Sequence, residues 1–228
     1  MPKIIEKPRM QQVELASEYK LPCVVLVDTS ISMEGCEREL EMYIAKLKET
    51  LLQEPETRGR VEIELILFNT DVYEKSTFGL ADKLEVPQVV CTGMTSTHAA
   101  IDLALRRVEQ RKQDYKDALA DYCQPWIWLF TDGDYNDPDN GSFDRLLEAQ
   151  RKGKLTFYPI AIGNAVDEKK LASMHKDGMV MRVAKDKLGE AFVFLSRSLS
   201  LRSQRDPEAT DTRMQLPDSI TAVVYNPL

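Results

Sequence analysis

The stretch Cys23-Val24-Val25-Leu26-Val27-Asp28-Thr29-Ser30-Ile31-Ser32 decides how the rest of the chain is read. Five apolar residues, three of them valine, predict a buried strand. A strand delivers its last residues to one edge of a sheet, and here it delivers a carboxylate followed by hydroxyls at alternate positions. Such a run is poorly suited to burial and well suited to holding a hard divalent cation through oxygen. Two later segments end in the same chemistry: Thr95 within Thr92-Gly93-Met94-Thr95-Ser96-Thr97, and Asp132 directly after the apolar run Trp126-Ile127-Trp128-Leu129-Phe130 and Thr131.

Working outward, strand and helix patterns alternate. Leu40, Tyr43, Ile44, Leu47 and Leu51 recur at helical spacing and predict a helix over 36–53, closed by Pro55 and Gly59. Residues 60–68 read as a strand, Asn69-Thr70-Asp71 as a turn, and 72–78 as a return strand. The hydroxyl-rich loop 92–97 leads into a helix whose first N–H groups Thr and Ser are expected to cap. Strand 126–130 is apolar on both faces, which predicts a central, helix-covered position, with Trp126 and Trp128 on one face under a helix. A helix near 142–152 precedes strand 155–162, where Pro159 suggests a bulge or an edge. A short helix at 167–174, a strand at 179–183 and a helix at 187–201 complete the pattern. The fold class is therefore α/β, a doubly wound, mostly parallel six-stranded sheet with helices on both faces. Residues 1–20 read as a polar arm, 21–204 as the domain, and 205–228 as a tail whose apolar-rich end, 220–228, could add an edge strand, pack on the sheet or bind a partner.

Composition narrows the function. Acidic residues outnumber basic ones, 37 to 30, and no basic stripe offsets the net charge of -7, which argues against nucleic acid as a partner. The four cysteines form no CxxC pair and there are two histidines, so a zinc site is not expected. No apolar run has signal-peptide or membrane-spanning length, and the default expectation is a cytoplasmic protein without a membrane partner.

Singly, each oxygen-bearing residue above reads as a helix cap or turn residue. Together, Asp28, Ser30, Ser32, Thr95 and Asp132 lie where ligands collect, beyond the carboxyl ends of the strands of an open α/β sheet. Two carboxylates and three hydroxyls suit Mg2+, with Mn2+ or Ca2+ also accommodated, and leave the ion electropositive with a position for one more anionic ligand.

These residues resemble the von Willebrand factor A family, whose metal-ion-dependent adhesion site (MIDAS) is written DxSxS, then Thr, then Asp. Asp28 to Ser32 match the first part, Thr95 after Gly93 the second, and Asp132 in Thr131-Asp132-Gly133 the third, so the likeness spans roughly 20–200. Ile31 departs from it, since glycine is frequent there. More narrowly, Asp28 to Gly35, Ile66 to Val72 and Phe192 to Ser200 resemble bacterial cytoplasmic proteins of the tellurite-resistance TerY type. The resemblance implies a non-enzymatic protein-binding module, a partner that supplies a Glu or Asp carboxylate to the metal, a movable helix 187–201, and a setting in tellurite or stress resistance or phage defence. Two rivals stay open: a metal-dependent phosphoester hydrolase, for which no nucleophile or phosphate-clamping Lys or Arg is motif-placed, and a structural subunit with a vestigial site. The loop from Thr131 to Gly141 reads as a solvated acidic turn rather than a calcium loop. His98 reads as a helix-surface or supporting residue rather than a base, and Cys23 as a small buried hydrophobe.

Overall fold

The computed structural model describes residues 1–8, 19–205 and 215–225. β2 (Tyr19–Asp28) is buried along its whole length and occupies the middle of the sheet. β3 (Val61–Phe68) and β7 (Trp126–Thr131) flank it in parallel register, pairing Val25 with Leu65 on one side and with Trp128 on the other. β8 (Thr156–Ile162) and β9 (Met179–Val183) continue the parallel run beyond β7, while β4 (Val72–Glu74) turns back antiparallel on β3. These six strands, in the order β4-β3-β2-β7-β8-β9, are the expected core of the fold. Two tiny strands, β5 (Gly79–Leu80) on β3 and β6 (Asp121–Tyr122) on β2, decorate it.

Helices cover both faces. α1 (Glu37–Gln53), α2 (Pro55–Arg60) and α6 (Leu188–Ser203) lie on one side. There Leu40, Ile44, Leu47 and Leu51 share a core with Val25, Val27, Leu65 and the aromatic residues of β7. Trp128 meets Phe194 at 5.7 Å and Phe130 stacks on Phe192 at 4.6 Å. Burying each such ring contributes about 1.5–3 kcal/mol. α3 (Thr97–Asp117), α4 (Ser142–Arg151) and α5 (Glu168–Ala172) cover the other side over Val24, Leu26, Ile66, Phe68, Ile127 and Leu129. The period-two alternation of β2 and β7 thus feeds two separate cores, and the loops that must leave the sheet at its carboxyl edge are left to gather there.

Several expectations are corrected. The first residues are more than a polar arm: Ile4–Ile5 form β1, which pairs in parallel with β4, and Tyr19 already belongs to β2. The Tyr19 hydroxyl lies 2.8 and 2.7 Å from the carbonyls of Ser203 and Arg205, which share its single proton, and this fixes the entry to the sheet. Residues 9–18 and 206–214 lie outside the described residues. Of the readings open for 220–228 the structure takes the edge strand: Ile220–Val224 form β10, antiparallel on β9. Pro55 opens α2 as its first residue instead of merely ending α1, because a helix start needs no N–H there. Pro159 lies between β7 and β9 rather than at an edge, and pairing with β9 begins one residue later at Ile160.

Candidate metal centre

Asp28 ends β2, and its carboxylate is fully buried. One oxygen accepts from the Ser30 N–H at 2.8 Å, so the chain folds back sharply after the strand. The other accepts from the Thr131 hydroxyl at 2.6 Å, which ties the end of β2 to the end of β7. Ser30 and Ser32, on alternate positions of the turn, bring their hydroxyls to 2.9 Å, and the Ser32 hydroxyl donates to Asp132 Oδ1 at 2.5 Å.

Thr95 arrives on the loop between β5 and α3. That loop is stitched to the first by Thr92 N–H to the Thr29 carbonyl at 2.9 Å and by Ile31 N–H to the Gly93 carbonyl at 3.1 Å. Gly93 has φ +73, and a side chain there would collide with Thr70, so only glycine carries the loop through this point. The third loop reaches back to the second: Asn136 N–H donates to the Thr95 carbonyl at 2.9 Å and Asn136 Oδ1 accepts from Thr95 N–H at 3.3 Å. A Cβ on Gly133 would stand 3.5 Å from Ser32 Oγ and 3.6 Å from Thr95 Oγ1, filling the space that those hydroxyls face. The structure thus brings Asp28, Ser30, Ser32, Thr95 and Asp132 to one place on three mutually bonded loops.

Burial pushes the Asp28 carboxyl up, to about 6; hydrogen bonds from Ser30 and Thr131 oppose this, and the nearby charge of Asp132 adds to it. Two carboxylates held close together with mostly neutral neighbours suit a cation of two charges. The donor set is all hard oxygen. Burial pushes the Cys91 thiol up to about 12 and raises that of Cys36, which keeps sulfur protonated beside the site. The hydroxyls of Ser32 and Thr95 both face the Gly133 backbone, and with the carboxylates of Asp28 and Asp132 they form an all-oxygen donor set that fits a magnesium-like ion.

The rest of the third loop is a solvent-facing acidic turn, and two of its acids are also tied to other elements. Asp137 accepts from the N–H groups of His98 and Ala99, at 3.2 and 2.8 Å. A carboxylate from another loop therefore caps α3, where capping by the local Ser and Thr was expected; Ser96 makes no side-chain cap bond. Asp134 accepts from Asp167 N–H at 3.0 Å and from Lys170 at 3.2 Å. Among the described residues no group of three or more His, Cys, Asp and Glu side chains is placed to hold a metal. His98 is buried, not on the helix surface: it stacks on Phe143 at 3.7 Å, and burial lowers its affinity for a proton. Ile31 and Met94, each 55% exposed, stand beside the cluster as apolar neighbours.

Two contributors went unread in the sequence. Thr131, which holds Asp28, is one residue before Asp132 and was visible as a strand-end hydroxyl. Lys185 donates to the Ser32 carbonyl at 2.5 Å and lies 3.3 Å from Asp132 Oδ2. Its position two residues past a parallel strand, at the edge shared with Asp28 and Asp132, was the available signal.

The family model for the von Willebrand factor type A domain matches residues 23–196. The chain belongs to this family. Among solved structures the von Willebrand factor type A domain is similar to proximal thread matrix protein 1 from the mussel byssus in a form with a zinc-occupied MIDAS motif. The TM-score is 0.58 at 16% identity, over 80% of this chain and 48% of that one. It is also similar to a von Willebrand factor type A protein from Catenulispora acidiphila, with TM-score 0.60 and 16% identity over 79% of this chain and 43% of that one. A third is the conserved hypothetical protein BatB from Bacteroides thetaiotaomicron, with TM-score 0.56 and 16% identity over 81% of this chain and 100% of that one. At such identity the likeness is one of fold, and the chain spans about half the length of the first two. No curated protein sequence matches the chain. Among the described residues no helix is long and apolar enough to cross a membrane.

Proposed function

We propose that this von Willebrand factor type A domain is a non-enzymatic, magnesium-dependent protein-binding module. Asp28, Ser30, Ser32, Thr95 and Asp132 hold the ion, directly or through water, and a Glu or Asp carboxylate of a partner protein completes its shell. The observation that carries this is the meeting of five hard oxygen donors on three loops at the carboxyl edge of the sheet, with the Ser32 side still open to solvent. Bound there, the ion supplies a coordination position for an anionic oxygen. The chain's own residues hold the donors in place for such an ion: Thr131 and the Ser30 N–H fix Asp28, while Asn136 fixes Thr95. Exposed Ile31 and Met94 favour a partner acid that has an apolar neighbour.

Among the described residues, the cysteines beside this edge, Cys36 and Cys91, are kept as thiols by burial, which supports binding over nucleophilic catalysis. The likeness of Asp28 to Gly35, Ile66 to Val72 and Phe192 to Ser200 to TerY-type proteins supports a bacterial cytoplasmic setting in tellurite or stress resistance or phage defence. Titration calorimetry with magnesium, joined to affinity capture with and without chelator, tests the proposal. A partner held only with magnesium and lost in Asp28→Ala is the expected result. Phosphoester turnover that disappears in Asp28→Ala would overturn it in favour of a hydrolase.

A further inference from the structure

Lys185 begins the single turn, Lys185–Lys187, that joins β9 to α6. Its ammonium bonds the Ser32 carbonyl and faces Asp132 Oδ2, while Asp132 Oδ1 accepts from Ser32 Oγ. A protein cation thus reaches the same carboxylate and the same turn that the divalent ion would use. The lysine side chain is 40% exposed against 7% for that of Asp132, so one partner of the pair is held and the other can swing away.

We propose that Lys185 is a tethered counter-ion for the metal centre: it neutralises Asp132 and orders Ser32 before a divalent cation arrives, and it must release Asp132 when the cation enters. The physical ground is that an ammonium and a doubly charged ion cannot share one carboxylate at bonding distance without strong mutual repulsion. Release is cheap, because a lysine head on a flexible four-carbon stem regains water when it leaves. Two consequences follow for the module proposed above, on whose metal site this role rests. The lysine lowers affinity for the ion while keeping the ion-free loops ordered. Once the ion is bound, Asp28 and Asp132 balance its two charges, and the freed Lys185 ammonium adds its own attraction for an incoming acid beside the ion.

Calorimetric titration with MgCl2 of the parent, Lys185→Met, Lys185→Arg and Asp28→Ala separates the possibilities, with lysine acylation of the parent mapped by mass spectrometry in chelator and in magnesium. The expected outcome is magnesium binding about 3–10-fold tighter in Lys185→Met, the partial exposure of the pair limiting the gain. Lys185→Arg should bind like the parent. Acylation of Lys185 should rise when magnesium is added, a readout that needs no variant to fold. The melting temperature of Lys185→Met should fall in chelator and recover in magnesium. Equal or weaker magnesium binding by Lys185→Met, or unchanged acylation, would overturn the counter-ion role and leave the metal centre intact. A parent that binds no magnesium, or binds it as well after Asp28→Ala, would remove the metal centre itself.

Discussion

At the amino-terminal end of β3, Glu62 and Glu64 are each 1% exposed, buried as deeply as Asp28 at the opposite edge of the neighbouring strand. The two sets of acids are nevertheless handled differently. Glu62 accepts from Arg111 at 2.8 and 2.7 Å and from the Tyr115 hydroxyl at 2.5 Å. Glu74 accepts from Arg107 at 2.7 Å, and Arg107 also bonds Glu6 of the segment after β1 at 2.9 Å. Guanidinium groups from α3 therefore close that end within the chain's own atoms. At the carboxyl edge, Asp28 and Asp132 face hydroxyls and one partly exposed lysine. Hydroxyls solvate a carboxylate without cancelling its charge, so this end keeps an electrostatic demand that an outside ion can meet. Burial of an acid inside the fold marks a structural network where arginine answers it and a candidate binding centre where hydroxyls do.

The sharpest way to break the comparison is to remove a cation from the closed end. Arg111→Met leaves Glu62 buried with Tyr115 alone, and about 3–5 kcal/mol of stability should be lost. Chemical denaturation would measure this, while magnesium affinity of the folded fraction stays at the parent value. A similar loss of magnesium binding would mean that the two ends are not independent. At the open end Asp28→Ala should reverse the pattern. Magnesium affinity should drop by on the order of 100-fold or more, ~3 kcal/mol, with a much smaller change in stability in chelator. Ser30→Ala removes a neutral donor and should cost about tenfold by the same calorimetry. A Ser30 effect as large as that of Asp28 would contradict the assignment of charge as the dominant contribution.

The contrast also explains what could be read beforehand. β2 and β7 announce themselves because both faces are buried, so apolar residues run continuously and the oxygen-bearing residues that follow stand out. α1 was legible from Leu40, Ile44, Leu47 and Leu51 because one face of it meets the core. β1 was not, since a short edge strand is selected by what it pairs with, and Ile4–Ile5 alone carries no pattern that demands pairing. For 220–228 the edge strand was one of three open readings, and its pairing with β9 selects it. Lys185 sits in Lys185-Asp186-Lys187, where alternating charge looks like any solvated turn, and only the topology of β9 aims it at Asp132. Asp137 was hidden in the same way: an acid in an acidic loop gives no hint that it caps a helix 38 residues away. The closed network was unreadable because Glu62 and Glu64 interrupt a strand that is otherwise apolar, and their partners lie a whole crossover later on α3.

The smallest predicted effect concerns the one carboxyl that the arginines leave short. Glu64 lies 3.6 Å from Arg107 Nε, a nitrogen that is 2.6 Å from Glu74. Burial, then the charge of Glu74, pushes the Glu64 carboxyl well above the usual carboxylate range. In the unfolded chain the same group ionises near ~4.3. Below that pH both states hold the proton and its contribution to stability is complete. As pH rises from there through the raised native value, the unfolded chain gains by ionising and the folded protein loses that contribution. Glu64→Gln cannot ionise, and its amide can still donate to Glu74. The variant should match the parent at about pH 4, within the usual scatter of an isosteric change, and exceed it by about 1 kcal/mol at about pH 8. Urea denaturation of both proteins at the two pH values gives the difference directly, with contributions from other titrating groups cancelling between parent and variant. A Gln variant that is less stable than the parent at both pH values would show that Glu64 is held as a carboxylate, and the closed end would then be fully compensated by its two arginines.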